Sequence, residues 1–426
     1  MRIGIIIGRI GGVDGVALET EKWIEVLKRM GHKIFIISGQ YQGRKMDHET
    51  ETLVPEMSFH SPESFWSQKK AFFFPETNPD ELIEHINLYS KIIYKRIINW
   101  IRDNNIDLII SENASSLPSH LEMGIAIKNA VEKLGIPIIT HDHDFSWERD
   151  ERYVSPHDEI NNFVDTVFPL RSPYSFHAVI NTNAKNTLKE KFNRESIVVP
   201  NVMNFDIPFG IKTEKNECLH EYLGYNCDKD ILLFQITRIV SRKAIEVAIQ
   251  LVHKLDNKNI KLVITGSAVD DEGNVYYDKL VNLIHELKLG EQVRFASDLF
   301  HNKGLSLNGD VQFSLSDAYA QATACTYFST YEGFGNAFVE AVLAKRPIFV
   351  NNYKPVYWPD IGSKGFRTVM LEDNDLTDDK VDQMKEIIMN KSLAEEIAEY
   401  NFNLGKKYFS YETLEEKLTQ LIEKVF

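Results

Sequence analysis

Residues 2–15 read RIGIIIGRIGGVDG, an isoleucine-rich run that ends in a glycine-rich turn. The run does not alternate apolar with polar residues, so it predicts a strand buried on both faces in a parallel sheet. A helix is expected over residues 16–30, and a second strand over residues 33–38. The buried face of the helix is expected to consist of apolar residues at helical spacing: Leu18, Trp23, Val26, Leu27 and Met30.

Alternating strand and helix patterns continue along the chain. In the first half, further strands are expected over residues 107–111, 137–140, 178–181 and 196–199. After a stretch with prolines and asparagines at 200–210, strands are expected near residues 231–236, 261–265, 292–295, 325–329 and 347–351. The pattern predicts two doubly wound α/β domains, residues 1–205 and 206–410, which bind ligands at the carboxyl ends of their strands.

Residues 41–79 do not follow this alternation. Their prolines and aromatic residues favour a long functional loop or a small lid. Within them, residues 65–74 read FWSQKKAFFF, which is also compatible with docking on a bilayer. Because this segment has only two basic residues in an acidic protein, a buried lid is the favoured interpretation.

The composition limits the possible partners and the compartment. The chain has 426 residues and a formal net charge of −14, which would repel nucleic acid. It has three cysteines and no close pair, so we expect neither disulfides nor a thiolate metal site. No stretch approaches the roughly 20 apolar residues of a membrane span. We expect a cytoplasmic protein without stable membrane association, and the oligomeric state stays open.

The most informative motif is residues 330–341, TYEGFGNAFVEA, between a predicted strand and a predicted helix. Its glycines let a backbone approach a ligand, and the start of a helix favours a phosphate group. Glu332 and Glu340 carry carboxylates that can accept hydrogen bonds from sugar hydroxyls. For a glycine turn alone, an ordinary strand–turn–helix with two surface glutamates is the favoured explanation.

A second motif, residues 235–244, reads QITRIVSRKA and follows the first strand of the second half. Arg238 and Lys243 are five residues apart, and two cations near a diphosphate would neutralise the charge of a leaving group. The intervening Arg242 is easily mistaken for the active cation. Solvated basic residues at a helix start are the alternative explanation.

Together these motifs resemble the family-4 retaining glycosyltransferases, whose signature pairs two glutamates around Gly-Phe-Gly and an Arg with a Lys. The resemblance covers most of the chain and implies the GT-B fold: two facing Rossmann-like domains, an interdomain cleft, and a final helix, residues 411–426, that crosses back to the first domain. It implies a donor site in the second domain. Ala244 departs from the family, which usually has glycine there. The donor-binding residues so implied are Gly12, Gly266, Gly333, Phe334, Gly335, Asn336 and Glu340.

Two segments of the first half complete the implied site. Asp14, after the first glycine turn, either contacts an acceptor or caps a helix. Residues 140–150 read THDHDFSWERD, and relatives place a histidine there near the transferred sugar, a part that His141 or His143 would take. Trp147, Glu148, Arg149 and Arg152 are expected to line the acceptor pocket. Two histidines among carboxylates, with Asp142, His143 and Asp144 similar to a metal-binding DxD, make a metal site the less favoured alternative, because no other close His or Cys cluster supplies an additional ligand.

The resemblance implies a hexosyltransferase with Arg238, Lys243 and Glu332 among its catalytic residues, and with no metal or other cofactor. The donor would be GDP-mannose or UDP-glucose. Residues 11–23, 143–149 and 357–366 are similar to a subgroup that contains mannosylglucosylglycerate synthases, which implies a small soluble acceptor such as glucosylglycerate. A lipid-linked or polysaccharide acceptor at a membrane surface, and a nucleotide-sugar epimerase, are the alternatives.

Overall fold

The computed structural model describes residues 1–75, 78–269, 271–300 and 312–426, apart from the side chains of residues 150 and 272. They form two compact units. Unit 1 consists of Met1–Val202 together with Tyr411–Phe426, and unit 2 consists of Met203–Ser410. Among the helices of these residues, none is long and apolar enough to cross a membrane.

Unit 1 is built on a seven-stranded parallel sheet with the strand order β5-β3-β1-β6-β7-β8-β9, and β2 pairs with β4 in a separate short ribbon. The order reverses between β1 and β6, the place where doubly wound sheets bind ligands. The strands are β1 (Arg2–Ile7), β2 (Ile10–Gly11), β3 (Lys33–Ser38), β4 (Tyr41–Gln42), β5 (Glu51–Leu53), β6 (Leu108–Glu112), β7 (Ile138–Asp142), β8 (Ser175–Val179) and β9 (Ser196–Val198).

The isoleucine-rich strands are buried because helices cover both faces of this sheet. Successive side chains alternate between the faces, so Ile5 packs in one apolar cluster and Ile6 in another. The unit 1 helices up to residue 192 are α1 (Gly15–Arg29), α2 (Pro62–Gln68), α3 (Asp80–Asp103), α4 (Leu121–Leu134), α5 (Asp158–Val167) and α6 (Thr182–Phe192).

Unit 2 has a six-stranded parallel sheet in the order β12-β11-β10-β13-β14-β15. The order reverses between β10 and β13, so the loops after these two strands form the expected ligand-binding position. Its strands are β10 (Ile231–Gln235), β11 (Ile260–Ile264), β12 (Val293–Phe295), β13 (Ala324–Tyr327), β14 (Ile348–Asn351) and β15 (Met370–Leu371).

The helices of unit 2 pack around this sheet on apolar clusters of their own. They are α7 (Glu214–Glu217), α8 (Leu219–Tyr222), α9 (Ile245–Leu255), α10 (Val275–Glu286), α11 (Leu315–Gln321), α12 (Asn336–Leu343), α13 (Tyr357–Asp360), α14 (Asp378–Met389) and α15 (Lys391–Phe409).

The last helix, α16 (Tyr411–Val425), belongs to unit 1 although it follows unit 2 in the chain. Leu414, Leu418 and Leu421 are fully buried in the cluster that contains Ile5 and Trp23. Each buried leucine contributes about 2 kcal/mol. These contacts therefore fasten the end of the chain to the first sheet.

Two sequence-based expectations are wrong in detail. Leu18 is 44% exposed, because the buried stripe of α1 passes through Glu19 and Thr20 instead. Glu19 tolerates burial since it accepts a hydrogen bond from the Val202 N–H and pairs with Lys22. Residues 41–79 do not form one long loop: among those described, they include β5 on the sheet edge, α2, and a π-helical turn over Lys69–Phe73.

Candidate active site

The glycine turn after β13 has a backbone that only glycine fits. Gly335 caps α12 with φ of 123°, a region that other residues rarely adopt. A Cβ atom on it would lie 2.1 Å from the Tyr353 hydroxyl. That hydroxyl donates a hydrogen bond to the carbonyl of Phe334. Tyr353 therefore fixes the turn of the Glu332 motif.

Glu332 lies between two cations. Its Oε1 accepts a short hydrogen bond from Lys243 Nζ, and its Oε2 accepts one from Arg242 Nη1 at 2.9 Å. Arg242 Nη1 also donates to the Tyr331 carbonyl at 2.9 Å. The loops after β10 and β13 are thus joined at the point where the strand order reverses.

Burial and charge act against each other in this cluster. Burial would raise the pKa of Glu332, but the charges of Lys243 and Arg242 outweigh it and lower that pKa. Burial lowers the pKa of Lys243, and Arg242 and Arg238 lower it further, against the opposing effect of Glu332. Two cations on one carboxylate leave the cluster with a surplus of positive charge.

Arg238 and Gly266 lie beside this cluster. Arg238 is exposed, directly after β10, and close enough to affect the pKa of Lys243. Gly266 follows β11, where a Cβ atom would lie 2.0 Å from the Thr237 carbonyl oxygen and 2.6 Å from Arg238 Cα. Only glycine allows these two strand ends to approach so closely.

The remaining predicted donor residues occupy different environments. Gly333 and Asn336 are half-buried at the start of α12. The ring of Phe334 is buried and packs edge-on against Phe409, so it belongs to the apolar core. Glu340 is half-buried, and its Oε2 accepts a hydrogen bond from the Tyr319 hydroxyl at 3.0 Å.

The histidines predicted in unit 1 meet a residue that the sequence did not indicate. Glu112, at the end of β6, is aligned with His141 of β7. Its Oε2 lies 2.8 Å from His141 Nδ1 and 3.8 Å from His143 Nε2. All three side chains are almost fully buried, and the His141 ring stacks on Trp23 with centroids 3.9 Å apart. The ends of neighbouring parallel strands lie side by side, and this general rule is the signal from which Glu112 could have been predicted.

The three titratable groups influence one another. Burial would raise the pKa of Glu112, but the two histidines lower it to about 2. Burial lowers the pKa of His141. For His143 burial acts in the same direction, yet Glu112 outweighs it and raises the pKa.

The aspartates around these histidines do not join them in one ligand set. Asp142 points to the other face of the sheet, where its Oδ2 lies 2.7 Å from His177 Nδ1 and accepts from Thr140. Asp144 pairs with Arg149 at 2.6 Å. The metal site at Asp142, His143 and Asp144 is therefore wrong as drawn from the sequence. The further ligand atom near the two histidines comes from Glu112, a carboxylate that the sequence did not indicate.

The predicted acceptor residues lie in the loop after β7. The start of this loop is held by Asn113, which follows β6 and whose Oδ1 accepts from the backbone N–H groups of residues 143 and 144. Trp147 is half-buried and stacks on Phe145 at 4.5 Å. Burial raises the pKa of Glu148 to about 7, against a hydrogen bond from the Phe145 N–H. Arg149 is exposed, and so is Arg152, which lies over the ring of Phe73.

The first glycine turn has a structural explanation. Asp14 caps α1 by accepting from the N–H groups of residues 16 and 17, and it pairs with Arg9 at 3.1 Å. Of its two predicted roles, the structure shows the helix cap. Gly12 has φ of +77°, and a Cβ atom there would lie 2.8 Å from Gln42 Oε1. The turn thus packs against the segment of β4.

Known proteins are similar to this chain in sequence and in fold. The family model of glycosyl transferases group 1 matches residues 225–404. The mannosylglucosylglycerate synthase of Petrotoga mobilis is 33% identical over 386 residues, which cover 87% of this chain and 86% of that protein. The synthase of the same name from Thermotoga maritima is 30% identical and covers 99% of both chains.

A solved glycosyltransferase from Rickettsia africae shares the fold, with a TM-score of 0.68 at 16% identity over 100% of this chain and 98% of that chain. Two observations are consistent with the family and fold of these relatives: the strand orders of the two sheets and the charged cluster after β10 and β13. The chain belongs to the group 1 glycosyl transferases, has their GT-B fold, and resembles the mannosylglucosylglycerate synthases among them.

Proposed function

We propose that this chain transfers a hexose from a nucleotide-sugar donor to a hydroxyl of a small acceptor and retains the anomeric configuration. The proposal rests on one observation: Glu332 pairs with Lys243 and Arg242 at the point in unit 2 where the strand order reverses. Its surplus positive charge supports binding of a diphosphate. Its carboxylate supports binding of sugar hydroxyls.

Arg238 and Lys243 take the charge that develops on the departing nucleoside diphosphate. They act at the same end of β10, and preorganised groups of this kind contribute about 10²–10³-fold each to kcat. This is the work that a divalent ion does elsewhere, so transfer requires no metal on the diphosphate and no other cofactor. The nucleoside diphosphate leaves from the face on which the acceptor hydroxyl enters, and its own oxygen accepts the hydroxyl proton.

Arg242 keeps Glu332 in place during this step. When Lys243 Nζ turns to the diphosphate, Glu332 loses one of its two cationic partners. Arg242 still holds Oε2 and is itself held by the Tyr331 carbonyl. Glu332 therefore keeps its orientation toward a hydroxyl of the hexose.

The acceptor is proposed from the relatives and from the loop after β7. Two relatives are named synthases of mannosylglucosylglycerate, which favours GDP-mannose as donor and glucosylglycerate as acceptor. Arg149 and Arg152 are exposed on or next to this loop and match a glycerate carboxylate. The reaction is proposed to take place in the cytoplasm.

Release of nucleoside diphosphate tests the proposal. The wild-type protein is incubated with GDP-mannose or UDP-glucose, with and without glucosylglycerate, and GDP or UDP is quantified. Acceptor-dependent release is expected, with a rate at least about 10²-fold lower in Lys243→Ala and Glu332→Ala. The anomeric configuration of the product is read by NMR, and added Mg²⁺ is expected to leave the rate unchanged.

Lys345→Ala is the matched control, because Lys345 forms an exposed ion pair with Glu399 in the same unit. Its rate is expected to equal that of the wild type. If the donor sugar were interconverted without release of nucleotide, the chain would be an epimerase and not a transferase. Equal losses of rate in Lys243→Ala and Lys345→Ala would rule out the proposed donor site.

A further inference from the structure

The cluster of Glu112, His141 and His143 contains ligand chemistry that transfer does not use. The three residues each offer one ligand atom, and these atoms lie within 4.8 Å of one another. Three buried polar atoms of the cluster make no hydrogen bond within the described residues: Glu112 Oε1, His141 Nε2 and His143 Nε2. Buried polar atoms normally have partners, so this concentration requires an explanation.

We infer that Glu112, His141 and His143 form a binding site for one divalent transition-metal ion, with Zn²⁺ as its representative. The inference is independent of the donor and acceptor proposed above. It concerns a site within unit 1 whose residues come from the ends of β6 and β7. The ion would be structural, because the ligands are buried.

The geometry suits one ion after a small contraction. Ligand atoms at about 2.1 Å from a common ion lie at most about 4.2 Å apart. The Glu112 Oε2 to His141 Nδ1 distance of 2.8 Å and its distance of 3.8 Å to His143 Nε2 already satisfy this limit. A ligand pair at the outer limit of 4.8 Å needs to close by about 0.6 Å to reach this limit, which applies to ligands on opposite sides of the ion.

The donor set selects the type of ion. Two imidazole nitrogens and one carboxylate oxygen suit Zn²⁺ and similar transition ions, whereas Mg²⁺ and Ca²⁺ prefer oxygen ligands. The set carries one formal negative charge when both imidazoles are neutral. Glu19, buried on α1, adds negative potential at both histidines. Both features favour a cation over an anion.

The ion would fix the start of the acceptor loop. His143 is the first residue after β7, and its backbone N–H already donates to Asn113 Oδ1. A bond from its side chain to the ion would add a second restraint. The two imidazoles would then hold residues 143–149 in position.

Metal uptake by the full chain tests the inference. The protein is stripped with a chelator, titrated with Co²⁺ and Zn²⁺, and assayed by Co²⁺ absorption and elemental analysis. We expect one ion per chain, a Co²⁺ spectrum of low coordination number, and a higher melting temperature with Zn²⁺ but not with Mg²⁺. His143→Asn should weaken Zn²⁺ binding by more than the roughly 10–100-fold that loss of an outer partner costs.

His177→Asn is the matched control, because His177 forms a buried pair with Asp142 at 2.7 Å in the same sheet. It is expected to leave Zn²⁺ affinity and stoichiometry unchanged. Wild-type protein that binds no Zn²⁺, or His143→Asn that binds it as tightly as the wild type, overturns the inference. The Co²⁺ spectrum is measured on the wild-type protein, so this part of the test does not depend on whether a variant folds. None of these measurements depends on transfer activity, so failure here and failure of the proposed transfer are distinguishable.

Discussion

The two buried polar clusters, one in each unit, have opposite charge balance. In unit 2 a single carboxylate, Glu332, faces two permanent cations, Lys243 and Arg242. In unit 1 a single carboxylate, Glu112, faces two imidazoles that can both be neutral. The proposed transfer places an anion, the diphosphate, at the first cluster, and the inferred metal site places a cation at the second. The two proposals therefore assign different ligands to similar positions at the ends of parallel strands.

Removal of the carboxylate from each cluster should show this difference most strongly. Glu332→Gln leaves two cations without their counter-charge and is expected to cost about 3–5 kcal/mol of stability in unit 2. Glu112→Gln, in metal-free protein, leaves an imidazole short of one partner and should cost about 1–3 kcal/mol. Native-state hydrogen exchange measures the two units separately. Equal costs would mean that the clusters do not differ in charge balance.

Arg242→Gln tests the positioning of Glu332 more narrowly. We expect the donor KM to rise about tenfold with a smaller change in kcat, because a hydrogen bond between charged groups contributes about 1.5–3 kcal/mol. Arg242→Lys should recover part of the loss. GDP binding without the sugar should change little, since Lys243 and Arg238 remain.

Arg367→Gln is the control for that variant. Arg367 forms an exposed ion pair with Glu396 at 2.6 Å in the same unit, and such pairs contribute little. Its donor KM is expected to match the wild type. If the two arginine variants gave the same KM, Arg242 would have no positioning role.

Glu148, in the loop after the histidine cluster, should make the stability of unit 1 depend on pH. Burial and Asp144 raise its pKa to about 7, against the Phe145 N–H and Arg149. The folded state therefore favours the neutral acid, and the free energy of unfolding falls as the pH rises from the unfolded pKa toward 7. Glu148→Gln should match the wild type near pH 4 and be more stable by about pH 8. Urea denaturation at both pH values measures this, and a pH-independent difference would contradict it.

The sequence predicts the regular elements well where hydrophobic pattern and turn residues agree. Strand β3 has the predicted bounds, residues 33–38, since it is apolar and ends at Ser38, directly before a glycine. Leu18 shows the limit of the method. A helical stripe can be completed by polar residues whose partners lie far away in the chain, as Glu19 is by Val202.

The candidate sites show a similar limit. The resemblance to the family implies Lys243, Glu332 and Gly335, and the structure brings Lys243 and Glu332 into contact across 89 residues. Glu112 was missed because it belongs to no motif and becomes adjacent to His141 only through strand register. Phe334 belongs to the motif, yet its ring is part of the core. Spacing along the chain identifies neither long-range partners nor side-chain direction.

The location of α16 has a consequence for the order in which the protein is made. Its leucines complete the core of unit 1, but they are translated after all of unit 2. During synthesis, unit 2 can close on itself while one layer of the first sheet is still uncovered. Since a nascent chain with exposed apolar surface is prone to aggregate, the surface that α16 covers stays at risk until residues 411–426 have been made.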